Sequence, residues 1–141
     1  MLIPSRRSSP TAYEATTRGV VVRVTPTFLP DQSDPGRARF TWAYAVEIEN
    51  RGSDTVRLVS RHWVITDAAN RVEEIEGPGV VGEQPTLRPG EAFSYTSGCP
   101  LSTPSGAMHG AYRMVTPSGA SFDAEIPAFS LHLPEATRRL N

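Results

Sequence analysis

The chain has no lysine: its 14 basic residues are all arginine. A Walker A phosphate loop, a Schiff-base or pyridoxal-phosphate enzyme and a serine–lysine hydrolase each need an amine at the centre, so all three are excluded. Cysteine is almost as scarce. A lone Cys99 cannot close an intrachain disulfide, which fits a reducing cytoplasm. Neither sign of charge dominates. At a net charge of −1, bulk electrostatics draw the chain to neither nucleic acid nor an anionic membrane. No apolar run approaches the ~20 residues that span a bilayer. The opening residues 1–7 carry arginines without the apolar stretch of a secretory signal.

Backbone punctuation, by contrast, is plentiful. Eleven glycines and 13 prolines in 141 residues argue against a long helical bundle and for short elements joined by turns. The length suits one domain with one core. Residues 1–12 read as a flexible arm, 13–133 as the domain, and 134–141 as a polar tail.

Between the turns the pattern has period two. Val20, Val22 and Val24 alternate with Val21, Arg23 and Thr25, predicting a first strand that Pro26 ends. Residues 27–39 read as a loop. Trp42, Tyr44, Val46 and Ile48 then share one side and Thr41, Ala43, Glu47 and Glu49 the other. A strand gathers these four large side chains on one face, whereas a helix scatters them. Residues 55–66 form a further strand with Val59, Trp63 and Ile65 together, and Asp67 to Asn70 make a hairpin loop before a short acidic strand to Glu76. Residues 77–90 read as irregular. Phe93 and Tyr95 mark a strand cut at Gly98-Cys99-Pro100. Met108 to Val115 and Phe122 to Leu133 supply the last strands, with a bulge or break expected near Pro127. About seven short strands with no amphipathic helix predict an all-β, immunoglobulin-like or fibronectin type III-like sandwich. Trp42, Trp63, Tyr44, Tyr112 and Phe122 are its expected core aromatics.

Gly77-Pro78-Gly79-Val80-Val81-Gly82 matches the G-x-G-x-x-G pattern of dinucleotide sites. Such a site needs a helix to begin at the last glycine, so that amides and dipole face the phosphates. Pro85 and Pro89 forbid that helix, and Pro78 removes an amide. Two readings stay open. In one, the glycines permit positive φ in a wide crossover. In the other, a backbone nest at Gly77, Gly79 and Gly82 holds phosphate or pyrophosphate with help from Arg88 or Arg61.

The ordered runs Arg61-His62-Trp63-Val64-Ile65-Thr66-Asp67, the glycine motif continuing to Glu83-Gln84-Pro85, Leu87-Arg88-Pro89-Gly90, Tyr95-Thr96-Ser97-Gly98 and Met108-His109-Gly110-Ala111-Tyr112 resemble the ApaG domain family. The resemblance extends from about Tyr13 to Leu133. It implies a fibronectin type III-like sandwich. It also implies links, by name, to cobalt and magnesium efflux (CorD) and, by genomic setting, to diadenosine tetraphosphate metabolism. Related domains joined to F-box proteins imply protein binding, and the family's proposed pyrophosphate site falls on Gly77, Gly79 and Gly82.

Other chemistry finds little support. His62, His109 and His132 lack metal-ligand spacing and Cys99 has no partner cysteine, so no metal site is expected. Glu73, Glu74 and Glu76 alternate on a strand and read as a solvated rim. No catalytic residue emerges: nothing adjacent lowers the pKa of Cys99, and there is no G-x-S-x-G elbow. The expectation is a cytoplasmic, non-enzymatic module without a cofactor. It meets an unidentified protein partner through loops or a sheet edge, binds no nucleic acid and does not insert directly into a membrane. Such an edge also allows two copies to pair as a homodimer. The alternative is a pyrophosphate- or nucleotide-binding protein, with a phosphohydrolase as one form of it, that uses the Gly77–Gly82 loop.

Overall fold

The computed structural model describes residues 12–134. Period-two patterning becomes nine strands: β1 (Tyr13–Thr17), β2 (Val20–Phe28), β3 (Phe40–Asn50), β4 (Val56–Asp67), β5 (Val72–Pro78), β6 (Thr86–Leu87), β7 (Ala92–Leu101), β8 (Gly106–Val115) and β9 (Ser121–Leu131). Two single 3-10 turns lie between β2 and β3, and no α-helix occurs among the described residues. The strands form two antiparallel sheets, in the orders β1-β2-β3-β7 and β5-β4-β8-β9, with β6 pairing β4. The expected all-β sandwich is thus the fold. Apart from Ala12 and Pro134, the expected arm and tail lie outside the described residues.

The core is the sum of the inward faces. Trp42, Tyr44, Val46 and Ile48 of β3 are all buried, as their alternation predicts. Each large side chain removed from water contributes roughly 1.5–3 kcal/mol. Across from them Trp63 sits at the centre. Its ring meets Tyr112 at 6.3 Å and Phe129 at 6.0 Å, both edge-on, and Tyr44 at 5.1 Å. Asn50, a buried polar side chain, is fully used. Its amide donates to Asp54 O and Leu87 O, and its Oδ1 accepts from the Gly52 amide. At one margin the sheets are stitched together: the Glu125 amide donates to Thr17 Oγ1 at 3.0 Å, and the Tyr13 and Ser130 hydroxyls meet at 3.1 Å.

Five expectations need correction. β1 was not legible as a strand, because its YEATT sequence is mostly polar. Pro26 does not end β2, which continues to Phe28. β1 pairs no further along β2 than Val24, so at Pro26 the side without an N–H has no ladder to complete. Likewise Gly98-Cys99-Pro100 does not cut β7, a sheet-edge strand that runs on to Leu101. Val59 does not share a face with Trp63. A register shift between Leu58 and Ser60 marks a bulge, so Val56 and Leu58 point inward before it and Trp63 and Ile65 after it. Finally, Phe122 is only partly buried, packed at the rim under Arg18, while Phe40 and Phe129 join the core instead. The irregularity expected near Pro127 is present. Pairing jumps from Met108↔Phe129 to Gly110↔Ile126, so Pro127 and Ala128 together oppose His109.

Candidate functional site

β5 lies at the edge of its sheet, paired to β4 on one side only. All seven of its residues are at least partly exposed. Beyond it the chain does not leave this margin. The Gly79 amide donates to Val59 O, the Leu58 amide to Pro85 O, and β6 pairs Val56 and Arg57. β5 and β6 are therefore one edge of β4 interrupted by an excursion, and the interruption faces the bulge at Val59. The Val59 carbonyl serves both halves, accepting from the Gly79 amide at 3.0 Å and from Gln84 Nε2 at 2.8 Å.

The excursion is a tight turn. Val80 and Glu83 exchange reciprocal amide–carbonyl bonds of 2.8 Å, and the central residues Val81 and Gly82 have φ of 42° and 81°. Two positive φ values in a two-residue connection are what a type I′ turn demands. Val80 plugs the core, 1% exposed, while Val81 stands out at 57%.

Each glycine of the motif has its own backbone reason. A Cβ on Gly77 would lie 3.1 Å from both terminal nitrogens of Arg61. A side chain on Gly79, at φ 59°, would overlap the Glu83 carbonyl. Gly82 holds the turn's second positive φ. Arg61 locks the arrangement, since its Nη1 donates to Pro78 O at 3.0 Å and Gly79 O at 2.9 Å. Thus carbonyls of the motif converge on the guanidinium, and the amides of Gly79, Val80 and Glu83 are taken up within the protein. Among the described residues no hydrogen bond or ion pair joins the Arg88 side chain to the motif. Arg88 sits in the turn before β7, where its amide donates to Glu91 Oε1. Arg57 comes nearer, donating to Gln84 Oε1 at 3.0 Å.

Behind Arg61 lies a trio of phenols. The Tyr95 and Tyr112 hydroxyls bond to each other across the two sheets. Burial pushes both phenols upward from their ordinary pKa, and the Arg61 charge pulls the other way. Tyr44 is raised too, again chiefly by burial. Burial likewise raises the Cys99 thiol to about 11, which leaves it protonated and unreactive near neutral pH.

The outer face beside β5 holds an open groove of about 440 Å³, with small Ser60 and Ala111 in its lining. Arg61 lines it too, its guanidinium bonded to backbone carbonyls rather than to a carboxylate. His62 Nε2 lies 2.8 Å from Glu74 Oε1 and 3.8 Å from Glu76 Oε2, and Arg113 pairs with Asp123 at 2.7 Å. Among the described residues no group of three or more His, Cys, Asp or Glu is arranged to hold a metal ion.

The sequence reading missed where exposed apolar surface collects. Among the described residues the exposed large hydrophobics are Val72 at 60%, Ile75 at 36% and Val81 at 57%. All three fall within residues 72–81, on the free edge and its turn. Pro78 within the motif and Pro85 just beyond it were the available signal, because prolines in a sheet favour edges.

Comparison with known proteins agrees along nearly the whole chain. A family model described as the ApaG domain matches residues 30–116. Protein ApaG of Caulobacter vibrioides is 59% identical over 136 residues, covering 96% of this chain and 97% of that one. Protein ApaG of Paramagnetospirillum magneticum is 60% identical over 129 residues, or 92% and 99% of the two chains. Among solved structures, an ApaA protein from Bordetella pertussis superposes with a TM-score of 0.81 at 46% identity, covering 90% of this chain and 98% of that one.

Proposed function

Because the chain belongs to the ApaG domain family, we propose that it is a non-enzymatic binding module that takes an extended segment of another protein along the free edge of β5. One observation carries this: the exposed large hydrophobics gather on an edge strand and the turn at its end. An edge offers unpaired N–H and C=O groups to an incoming strand, and exposed apolar side chains add burial to those hydrogen bonds. Glu73, Glu74 and Glu76 on the same strand select the occupant. The segment carries arginine or lysine, whose charge complements the glutamates. Self-addition of two copies here sets glutamate against glutamate, which is unfavourable across a strand pair.

The names of the relatives state no catalytic activity, and a buried, protonated Cys99 suits a cytoplasmic module. On this reading the family's link to cobalt and magnesium efflux runs through a transport protein rather than through the ion. A second ligand class, pyrophosphate or a diadenosine polyphosphate at Gly77–Gly82, draws on the permanent cation of Arg61 beside Gly77. Affinity capture with the full chain, followed by hydrogen exchange on the complex, separates the two. The expected result is a stoichiometric protein that protects β5 amides and is lost when Glu73, Glu74 and Glu76 are all replaced by arginine. Calorimetry with pyrophosphate and diadenosine tetraphosphate is expected to be silent. Heat accompanied by protection at residues 77–82 would replace the protein-binding reading.

A further inference from the structure

Val81 is out of place in its own turn. Its φ of 42° lies in the left-handed region, which β-branched residues rarely occupy. The first central position of a type I′ turn favours Asn, Asp or Gly. Among the described residues Val81 has no place in the core cluster that would call for valine. Burial at this corner is supplied by Val80, and the turn closes through backbone bonds between Val80 and Glu83. Val81 thus combines an unfavourable backbone with a majority-exposed apolar side chain, where asparagine would relieve the first and remove the second.

The position is informative. Val81 projects from the interruption that follows Pro78, at the end of the β5 edge. A segment pairing with β5 runs out of ladder at Pro78 and meets the turn next. We propose that Val81 is the specificity-determining contact of the β5 site, an anchor that packs on a large apolar residue at the end of the added strand nearest the turn. This rests on the edge-binding reading. It refines the partner to an extended basic segment terminated by leucine, isoleucine or phenylalanine. An exposed apolar residue held by a rigid turn loses little conformational freedom on binding, which favours its use as an anchor. Strain retained at an exposed residue is the pattern expected where function, rather than folding, fixes the residue type.

The test uses the full chain and a panel of synthetic extended peptides that alternate arginine with valine and end in either leucine or serine. The wild-type chain is expected to bind leucine-ended peptides about tenfold more tightly than serine-ended ones. Val81→Asn is expected to raise Tm by about 2–4 °C, because it installs the favoured turn dipeptide, and to abolish the preference for leucine. Val81→Ile is expected to keep both Tm and preference. If peptides protect β5 amides but Val81→Asn leaves the preference intact, the anchor is wrong and edge binding stands. If Val81→Asn fails to raise Tm, the premise of strain is wrong and the anchor falls with it. If no peptide protects β5 in the wild-type chain, edge binding itself fails and takes the anchor with it.

Discussion

Two turns in this molecule share one backbone and differ in everything around it. Arg18-Gly19 joins β1 to β2, and Val81-Gly82 interrupts the β5–β6 edge. The first residue sits at φ 49° in one and 42° in the other, and both glycines sit at 81°. Yet the first turn is built into the fold. Gly19 packs so closely on Gly52 that an added Cβ would lie 2.6 Å from its Cα. Its carbonyl accepts from the Arg51 amide at 2.8 Å. Arg18 spreads over the Phe122 ring at 5.2 Å, a cation–π contact that offsets its unfavourable φ. The second turn has open space around Gly82 and an exposed Val81. A left-handed residue with an internal contact is explained by stability. One without such a contact directs attention outward.

The comparison can be broken by substitution. Gly19→Ala is expected to have the largest effect, a loss of about 3 kcal/mol or more, since strain at positive φ adds to a clash with backbone. Urea unfolding followed by tryptophan fluorescence measures it. Arg61→Met comes next. Losing two charge-assisted bonds to the Pro78 and Gly79 carbonyls should cost about 2 kcal/mol. It should also speed hydrogen exchange at Gly79 and Val80 without touching the β1–β2 hairpin. Gly82→Ala, at the same φ as Gly19 but with no neighbour, should cost only about 1 kcal/mol. Near-equal losses for the two alanines would show that φ alone, and not the surroundings, distinguishes these turns. Smallest is Arg18→Ala, about 0.5 kcal/mol from the exposed cation–π contact, read as a slight fall in Tm and faster exchange at Gly19.

How far such features were legible depends on whether their cause is local. The face shared by Trp42, Tyr44, Val46 and Ile48 could be read directly, because alternation within one strand decides it. So could the bulge near Pro127, where Ile126 and Phe129 fall out of phase. The strand prolines were harder. Pro26, Pro78, Pro100 and Pro127 all lie within strands, and each is tolerated because a neighbouring strand is absent or displaced at that point, which only the sheet order reveals. Val59 misled for a related reason: its parity is correct locally, but the bulge beside it resets the face. At the candidate site, the sequence rightly denied a helix after Gly82. What it could not display was the partner of each glycine. Arg61 precedes Gly77 by sixteen positions and reaches it only because β4 and β5 pair. The exposure of Val72, Ile75 and Val81 was equally hidden, since apolar residues are presumed inside until a sheet edge is located.

The turn at Val80 and Glu83 also divides a long margin into stretches of seven and two residues. A flat, uninterrupted edge templates the addition of copy upon copy into a fibre, whereas a broken one gives each arriving chain a short berth and a fixed end. The glycines that shape the break therefore keep a sticky margin from seeding runaway aggregation, whatever docks beside them.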